Sequence, residues 1–94
     1  RQRCHDMACA ALHRVLARNG LQSIALDSAF GQMVPIPVRT QDADGLRRLL
    51  FDEHRIEIPV TQHAGRSFVR LSVQAYNTQA EVDVLLGVLE QLGL

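Results

Sequence analysis

Apolar residues recur at two different spacings along the chain, and each spacing predicts one kind of element. In residues 5–18, in the segment after Asp42 and in residues 82–89 they recur every three to four positions, which is typical of a helix with one buried face. The inward-facing residues of these helices are Ala8, Ala11, Leu12, Val15 and Leu16, then Leu46, Leu49 and Leu50, then Val82, Leu85, Leu86 and Leu89. The pattern therefore predicts three amphipathic helices.

Capping residues mark where these helices begin and end. Asn19-Gly20 supplies a left-handed C-cap for the first helix. Asp42 or Asp44 can cap the second, since a short side-chain oxygen accepts a hydrogen bond from a free amide of the first turn. Thr78 and Glu81 form a capping-box pattern at the start of the third helix.

Alternation of apolar and polar residues predicts three strands. Residues 33–38 alternate but contain two prolines, which cannot donate to a ladder, so they are expected to form an edge strand. Residues 55–61 alternate strictly and residues 67–73 follow after a turn at Ala64-Gly65-Arg66, so they predict a hairpin.

The order helix, weak strand, helix, strand, strand, helix predicts an α+β fold. We expect two layers, a small and mainly antiparallel sheet with about three helices packed on one face. The chain has 94 residues, of which 47% are hydrophobic and 21% charged, so residues 1–94 are expected to form one globular domain.

Charge and composition exclude several classes of function. Ten acidic and ten basic residues give a net charge of zero, and the basic residues are scattered arginines without a stripe that could follow a nucleic-acid backbone. No apolar run approaches the ~20 residues of a membrane span, and no signal-peptide pattern is visible. We therefore expect neither a nucleic-acid partner nor a membrane. Two cysteines do not make a disulfide framework, which favours a cytoplasmic protein.

The chain contains no lysine, so it cannot perform Schiff-base chemistry by itself. It also begins in the middle of a predicted helix and without methionine. We therefore expect it to be one part of a larger polypeptide.

Arg70 lies on a strand where its neighbours fix its direction. If Val69 and Leu71 pack on the helices, Phe68 and Arg70 face the other side of the sheet. One interpretation is a solvated arginine on an open face. The other is a strand-mounted clamp for a carboxylate, covered by another domain, because a planar guanidinium binds carboxylate through two hydrogen bonds.

Other polar clusters have simpler structural explanations. His5, Cys9 and His13 lie on one helix face, but the outer two are two turns apart, too far for one tetrahedral zinc ion, so surface residues are favoured over a metal site. His63 at the hairpin tip could act as a general base but has no evident partner, so a surface histidine is favoured. Residues 42–45 superficially resemble a calcium loop, yet later ligand positions are missing and helix capping explains them better.

The last third of the chain resembles the C-terminal end of class V aminotransferases, fold-type-I enzymes that use pyridoxal phosphate. That ending is an arginine-hydrophobic-serine strand, a Tyr-Asn-Thr turn and a helix opening with acidic residues. Here these are Arg70-Leu71-Ser72, Tyr76-Asn77-Thr78 and Glu81-Val82-Asp83. The match extends upstream through residues 55–60 and 49–50, and more weakly through Met33 and the first helix. It covers nearly the whole chain, but only the small C-terminal domain of the family.

The resemblance implies that Arg70 binds the α-carboxylate of an amino-acid substrate whose bonds at Cα are labilised. It implies pyridoxal phosphate in the full-length enzyme, with a large domain of the same polypeptide supplying the Schiff-base lysine, and a homodimer. No catalytic, cofactor-binding or metal-binding residue is assigned within this chain, and no cofactor is expected on the isolated chain. Ser72, Tyr76 and Asn77 are expected to shape the strand end and the helix start.

Within that family, residues 60–69 contain no cysteine, which speaks against a cysteine desulfurase. The chain looks more like the isopenicillin N epimerase-like branch. Substrate and reaction stay open between an epimerase, an aminotransferase, a lyase and an inactive homologue. A competing hypothesis is a stand-alone ligand- or protein-binding module that uses the open sheet face around Phe68 and Arg70.

Overall fold

A computed structural model describes residues 2–75 and 77–94, and within these residues the chain forms three α-helices and three strands. The helices are α1 (Gln2–Asn19), α2 (Ala43–His54) and α3 (Gln79–Gln91), and the strands are β1 (Met33–Val38), β2 (Val60–His63) and β3 (Arg66–Ser72). A short 3-10 turn at Asp27–Ala29 lies between α1 and β1. This order confirms the predicted α+β class. Among the described residues, none of the helices combines the length and apolarity needed to cross a membrane.

The sheet has the order β1-β3-β2, and both pairings are antiparallel. β1 is therefore an edge strand, as its prolines predicted. Val73 N–H donates to Gln32 O at 2.9 Å, which sets the alternation of hydrogen-bonded pairs along β1 and β3. Pro35 and Pro37 fall at the positions between these pairs, where a backbone N–H would point to the open edge. Neither proline costs the sheet a ladder hydrogen bond.

One face of the sheet and the inner faces of the helices form the core. Val34 and Ile36 of β1 lie opposite Leu71 and Val69 of β3, and all four side chains are buried. They belong to one apolar cluster with the helix residues Ala8, Ala11, Leu12, Val15, Leu46, Leu50, Val82, Leu85, Leu86 and Leu89. The predicted helix faces are thus confirmed, with Leu16 and Leu49 half-buried at the margin.

The structure resolves the choice of cap for α2 and confirms the caps of α1 and α3. Gly20 has a φ of 72° and ends α1 in the left-handed region. Asp42, rather than Asp44, is the N-cap of α2, and its carboxylate accepts from Gly45 N–H at 2.9 Å. Thr78 and Glu81 make both bonds of the predicted capping box.

The second predicted strand is shorter than expected. Residues 55–61 were predicted to pair, but pairing with β3 begins only near its end, in β2. Arg55 takes a left-handed conformation (φ 58°) as the C-cap of α2, and Ile56 N–H donates to Leu50 O at 2.9 Å, so this segment completes the helix end. Ile56 and Ile58 are half-buried and Glu57 is exposed. The alternation of apolar and polar residues in this segment therefore predicts correctly which side chains are buried, but its prediction of strand pairing is wrong for most of the segment.

The predicted turn between β2 and β3 is confirmed. Ala64 and Gly65 both have positive φ (52° and 76°), and His63 pairs with Arg66 across the turn. Positive φ at both central residues is the conformation of a type I′ turn, whose twist matches that of a hairpin. β3 starts at Arg66 and ends at Ser72, one residue earlier at each end than predicted.

Asn19 joins three parts of the fold at the end of α1. Its side chain is 7% exposed, and its amide nitrogen donates to Pro37 O at 3.0 Å and to Leu94 O at 2.8 Å. Its amide oxygen accepts from Leu21 N–H at 3.0 Å. One side chain thus satisfies main-chain groups of the edge strand, the C-terminus and the loop after α1.

We predict that Asn19→Ala lowers the free energy of unfolding by about 2 kcal/mol, because it leaves the buried carbonyl of Pro37 and the part-buried carbonyl of Leu94 without this donor. Urea unfolding of the 94-residue chain measures this. Arg18→Ala, on the exposed side of the same helix turn, is the control and should change stability by less than about 0.5 kcal/mol. Equal losses in the two variants would contradict a specific role for the Asn19 amide.

Candidate functional site

Arg70 lies on the central strand with its side chain exposed on the face turned away from the helices. Its backbone N–H donates to Pro59 O at 3.0 Å on one side, and Pro35 lies opposite on the other. Among the described residues, the guanidinium takes part in no recorded hydrogen bond or ion pair. The backbone of Arg70 is therefore fixed from both sides while its charge has no partner within the described chain.

The same sheet face is less open around Phe68 than predicted. Phe68 is only 2% exposed, although it lies on the same side of β3 as Arg70. The guanidinium carbon of Arg66 lies 5.0 Å from the centroid of the Phe68 ring, and Arg66 also donates to Gln22 O in the loop after α1. Pro37 lies opposite Phe68 and is buried as well. The expectation of an open face around Phe68 is therefore wrong, since the Arg66 guanidinium lies over the ring and the buried Pro37 lies opposite it on β1.

A cleft of about 230 Å³ lies beside Arg70, between β3 and the segment before β2. Val82 and Leu85 of α3 line it, together with Ile58. Its remaining lining residues are Ile56, Glu57, Pro59, Arg70, Leu71, Ser72, Val73, Asn77 and Glu81. The sequence pattern did not predict this cleft, and the single signal for it is Pro59, which lacks the N–H needed to pair fully with Arg70.

Polar contacts at the start of α3 define one rim of the cleft. Glu81 accepts from Thr78 N–H at 2.9 Å and from the Asn77 amide at 3.3 Å, while Thr78 Oγ1 accepts from Glu81 N–H at 3.2 Å. The Thr78 N–H, followed by the Asn77 amide, holds the pKa of the Glu81 carboxyl below its usual value. Asn77 Oδ1 accepts from Gln74 N–H at 2.7 Å, so Asn77 contributes to the turn, whereas Tyr76 lies outside the described residues.

The histidines and cysteine on α1 do not converge on one point. His5 Nδ1 lies 2.7 Å from Gly31 O and its Nε2 lies 3.7 Å from Cys9 Sγ, whereas His13 Nε2 lies 2.7 Å from Asp27 Oδ2. In residues 2–75 and 77–94, no group of three or more His, Cys, Asp or Glu residues could hold a metal ion. The two histidines instead attach the loop before β1 to α1.

The thiols of α1 are poorly suited to nucleophilic chemistry. Cys4 and Cys9 are both free and buried. Burial raises the pKa of the Cys9 thiol, and the negative charges of Asp27 and Asp6 raise it further. His63 is exposed beside the hairpin turn, and within the described residues its ring has no recorded hydrogen-bond partner. The two thiols and His63 therefore offer no activated nucleophile.

Comparison with known proteins shows a similarity to an epimerase. No protein-family model matches the chain. The chain is 32% identical over 96 residues to isopenicillin N epimerase from Amycolatopsis lactamdurans. The matched region covers 98% of this chain and 24% of that protein, so the chain spans about a quarter of the length of the curated relative it matches.

We predict that the charge of Glu81 stabilises the fold at neutral pH and that acid removes this contribution. Because the pKa of the folded state lies below the unfolded value, the contribution is fully present above the unfolded pKa and is lost as the pH falls through the folded pKa. Glu81→Gln keeps an acceptor for Thr78 N–H but removes the charge. Unfolding measured from pH 7 to pH 3 should therefore show a smaller loss of stability in the variant.

Glu90→Gln is the matched control, because Glu90 is exposed near the other end of α3 and takes no part in the capping box. It should keep the acid-dependent slope of the unmodified chain. An unchanged slope in Glu81→Gln would contradict the role of its carboxylate at the helix start.

Proposed function

We propose that this chain is the substrate-carboxylate-binding domain of a larger pyridoxal-phosphate-dependent enzyme that acts on an amino acid. The observation that carries the proposal is Arg70, exposed on the central strand with no ion-pair partner among the described residues. The similarity to isopenicillin N epimerase over nearly the whole chain supports the same assignment. We place the chain in the class V, isopenicillin N epimerase-like branch, as the C-terminal domain of its polypeptide.

The position of Arg70 suits the recognition of a carboxylate. A guanidinium offers two parallel N–H donors that match the two oxygens of a carboxylate, and such charge-assisted bonds are about twice as strong as neutral ones. A central strand fixes the direction of the side chain better than a loop does. An internal ion pair would have to be broken before a ligand could bind, and the described residues supply none to Arg70.

The residues of this chain do not fit pyridoxal phosphate as a covalent cofactor. The chain contains no lysine, the residue to which pyridoxal phosphate attaches covalently. We therefore propose that the remainder of the polypeptide supplies the cofactor-binding residues, as in a protein about four times the length of this chain. Pyridoxal phosphate serves as an electron sink in such enzymes, and the protein supplies binding and orientation.

Arg70 contributes orientation. Holding the carboxylate in one direction restricts rotation about the bond from Cα to the amino nitrogen, and this selects which bond at Cα is aligned for cleavage. The rest of the chain supports that alignment by keeping β3 rigid between two strands. We extend the proposal to a homodimer in the cytoplasm, where the two free thiols would stay reduced.

The stand-alone binding module is the weaker candidate. That hypothesis uses an open sheet face around Phe68 and Arg70, and the Phe68 ring is buried under Arg66. What the face still exposes is Arg70 with Ser72 and Met33. The guanidinium of Arg70 on this face can bind a small anionic ligand through charge-assisted hydrogen bonds.

We predict that Arg70→Gln in the full-length polypeptide weakens binding of the amino-acid substrate about a hundredfold, since hydrogen bonds between charged groups contribute about 1.5–3 kcal/mol each. In the 94-residue chain, the same change should alter the free energy of unfolding by less than about 0.5 kcal/mol. Equilibrium binding and urea unfolding measure the two effects.

Arg18→Gln, an exposed arginine on α1, is the control and should leave both quantities unchanged. A large loss of stability in Arg70→Gln would show that Arg70 is structural. Unchanged substrate binding would contradict the proposed function.

We also predict that the 94-residue chain alone does not bind pyridoxal phosphate, because it has no lysine to form a Schiff base. The full-length polypeptide should bind it and lose this binding when its own reactive lysine is replaced. Absorbance titration with the cofactor measures both. Saturable micromolar binding to the isolated chain would contradict the division of roles.

A further inference from the structure

We infer that the cleft beside Arg70 binds the apolar side chain of the ligand whose carboxylate Arg70 holds. The inference rests on the proposed function and adds a substrate class to it, namely amino acids with a neutral, extended apolar side chain. Arg70 is one of the residues that line the cleft, so a ligand whose carboxylate is bound by Arg70 lies next to the cleft.

The cleft exists because the ladder between β2 and β3 stops early. Arg70 N–H donates to Pro59 O, but Pro59 has no N–H to return, and the chain before it diverges from β3 toward the end of α2. Ile56 N–H holds that end by donating to Leu50 O at 2.9 Å. The two walls of the cleft, β3 and the segment before β2, are thus held by main-chain hydrogen bonds. The gap between them is a fixed feature of the fold.

The deep surface of the cleft is apolar. Val82 and Leu85 are each 4% exposed, and they belong to the core of the domain. Ile58 is half-buried on the wall and presents part of its side chain to the opening. A polar side chain in this position would lose its hydration without finding hydrogen-bond partners on the floor, which is unfavourable.

The size of the cleft matches a side chain rather than a whole ligand. Its volume of about 230 Å³ is below the ~300–1,000 Å³ of typical small-molecule sites. The carboxylate stays outside on Arg70 and only the tail of the ligand enters.

Charge at the rim excludes an acidic side chain. Glu57 and Glu81 both line the cleft. The hydrogen bonds from Thr78 and Asn77 hold Glu81 in its charged form. A second carboxylate on the ligand would therefore meet negative charge at the entrance, whereas a neutral tail would not.

The test uses the full-length polypeptide with its cofactor bound and the straight-chain monocarboxylates from acetate to octanoate as probes. Calorimetric titration gives the affinity of each acid. Each methylene that enters the cleft should tighten binding about fourfold, the ratio that corresponds to about 0.8 kcal/mol. Glutarate should bind at least tenfold more weakly than pentanoate, which has the same number of carbons and one carboxylate fewer.

Two variants with a matched control separate the cleft from Arg70. Ile58→Ala removes part of the exposed wall and should reduce the gain per methylene, while acetate binds as before. Ile24→Ala, an exposed isoleucine in the loop after α1, is the control and should keep the full gain. Arg70→Gln should weaken all the monocarboxylates by the same factor, without changing the gain per methylene.

Failure of the subsite and failure of the proposed function give different results. If affinity does not change with chain length but binding still depends on Arg70, the subsite alone is overturned. This result is expected if another part of the polypeptide fills the cleft. An undiminished gain per methylene in Ile58→Ala also overturns the subsite. Carboxylate binding that Arg70→Gln leaves unchanged overturns the proposed function, and the subsite with it.

Discussion

Side chains along β3 alternate between the two faces of the sheet, and this two-residue period determines where Arg70 points. β3 is the central strand, so its backbone is paired on both sides and cannot rotate. Because Val69 and Leu71 are committed to the core, Arg70 between them must face away from the helices. Packing of Val69 and Leu71 in the core therefore determines the direction of the Arg70 side chain, and a shift of one residue in register would bury its charge.

Elements whose signals are local could be predicted from the sequence. The three helices follow from apolar periodicity, and their ends follow from Gly20, Asp42 and the Thr78–Glu81 box, since each cap involves residues within a few positions of one another. The direction of Arg70 also followed from local alternation. These features depend on neighbours in the sequence, which a pattern records.

Features that depend on distant segments could not be predicted in the same way. The alternation of residues 55–59 gave their burial, but the left-handed cap at Arg55 takes them out of the ladder. Phe68 has the pattern of an exposed residue, and it is covered because Arg66 folds over its ring and contacts the loop after α1. The cleft forms because α3 lies near the segment before β2. These two elements are far apart in the sequence, so a local pattern does not predict their proximity.

The absence of lysine, and an Arg70 without an ion-pair partner in residues 2–75 and 77–94, are consistent with a division of roles. We propose that this chain holds the carboxylate and the neutral tail of a substrate, and that sequence outside it holds the cofactor. The most direct test is an experimental structure of the full-length polypeptide with a bound amino-acid ligand. We expect both carboxylate oxygens to lie about 2.7–2.9 Å from the Arg70 guanidinium nitrogens. A carboxylate held by other residues, with Arg70 pointing into solvent, would contradict it.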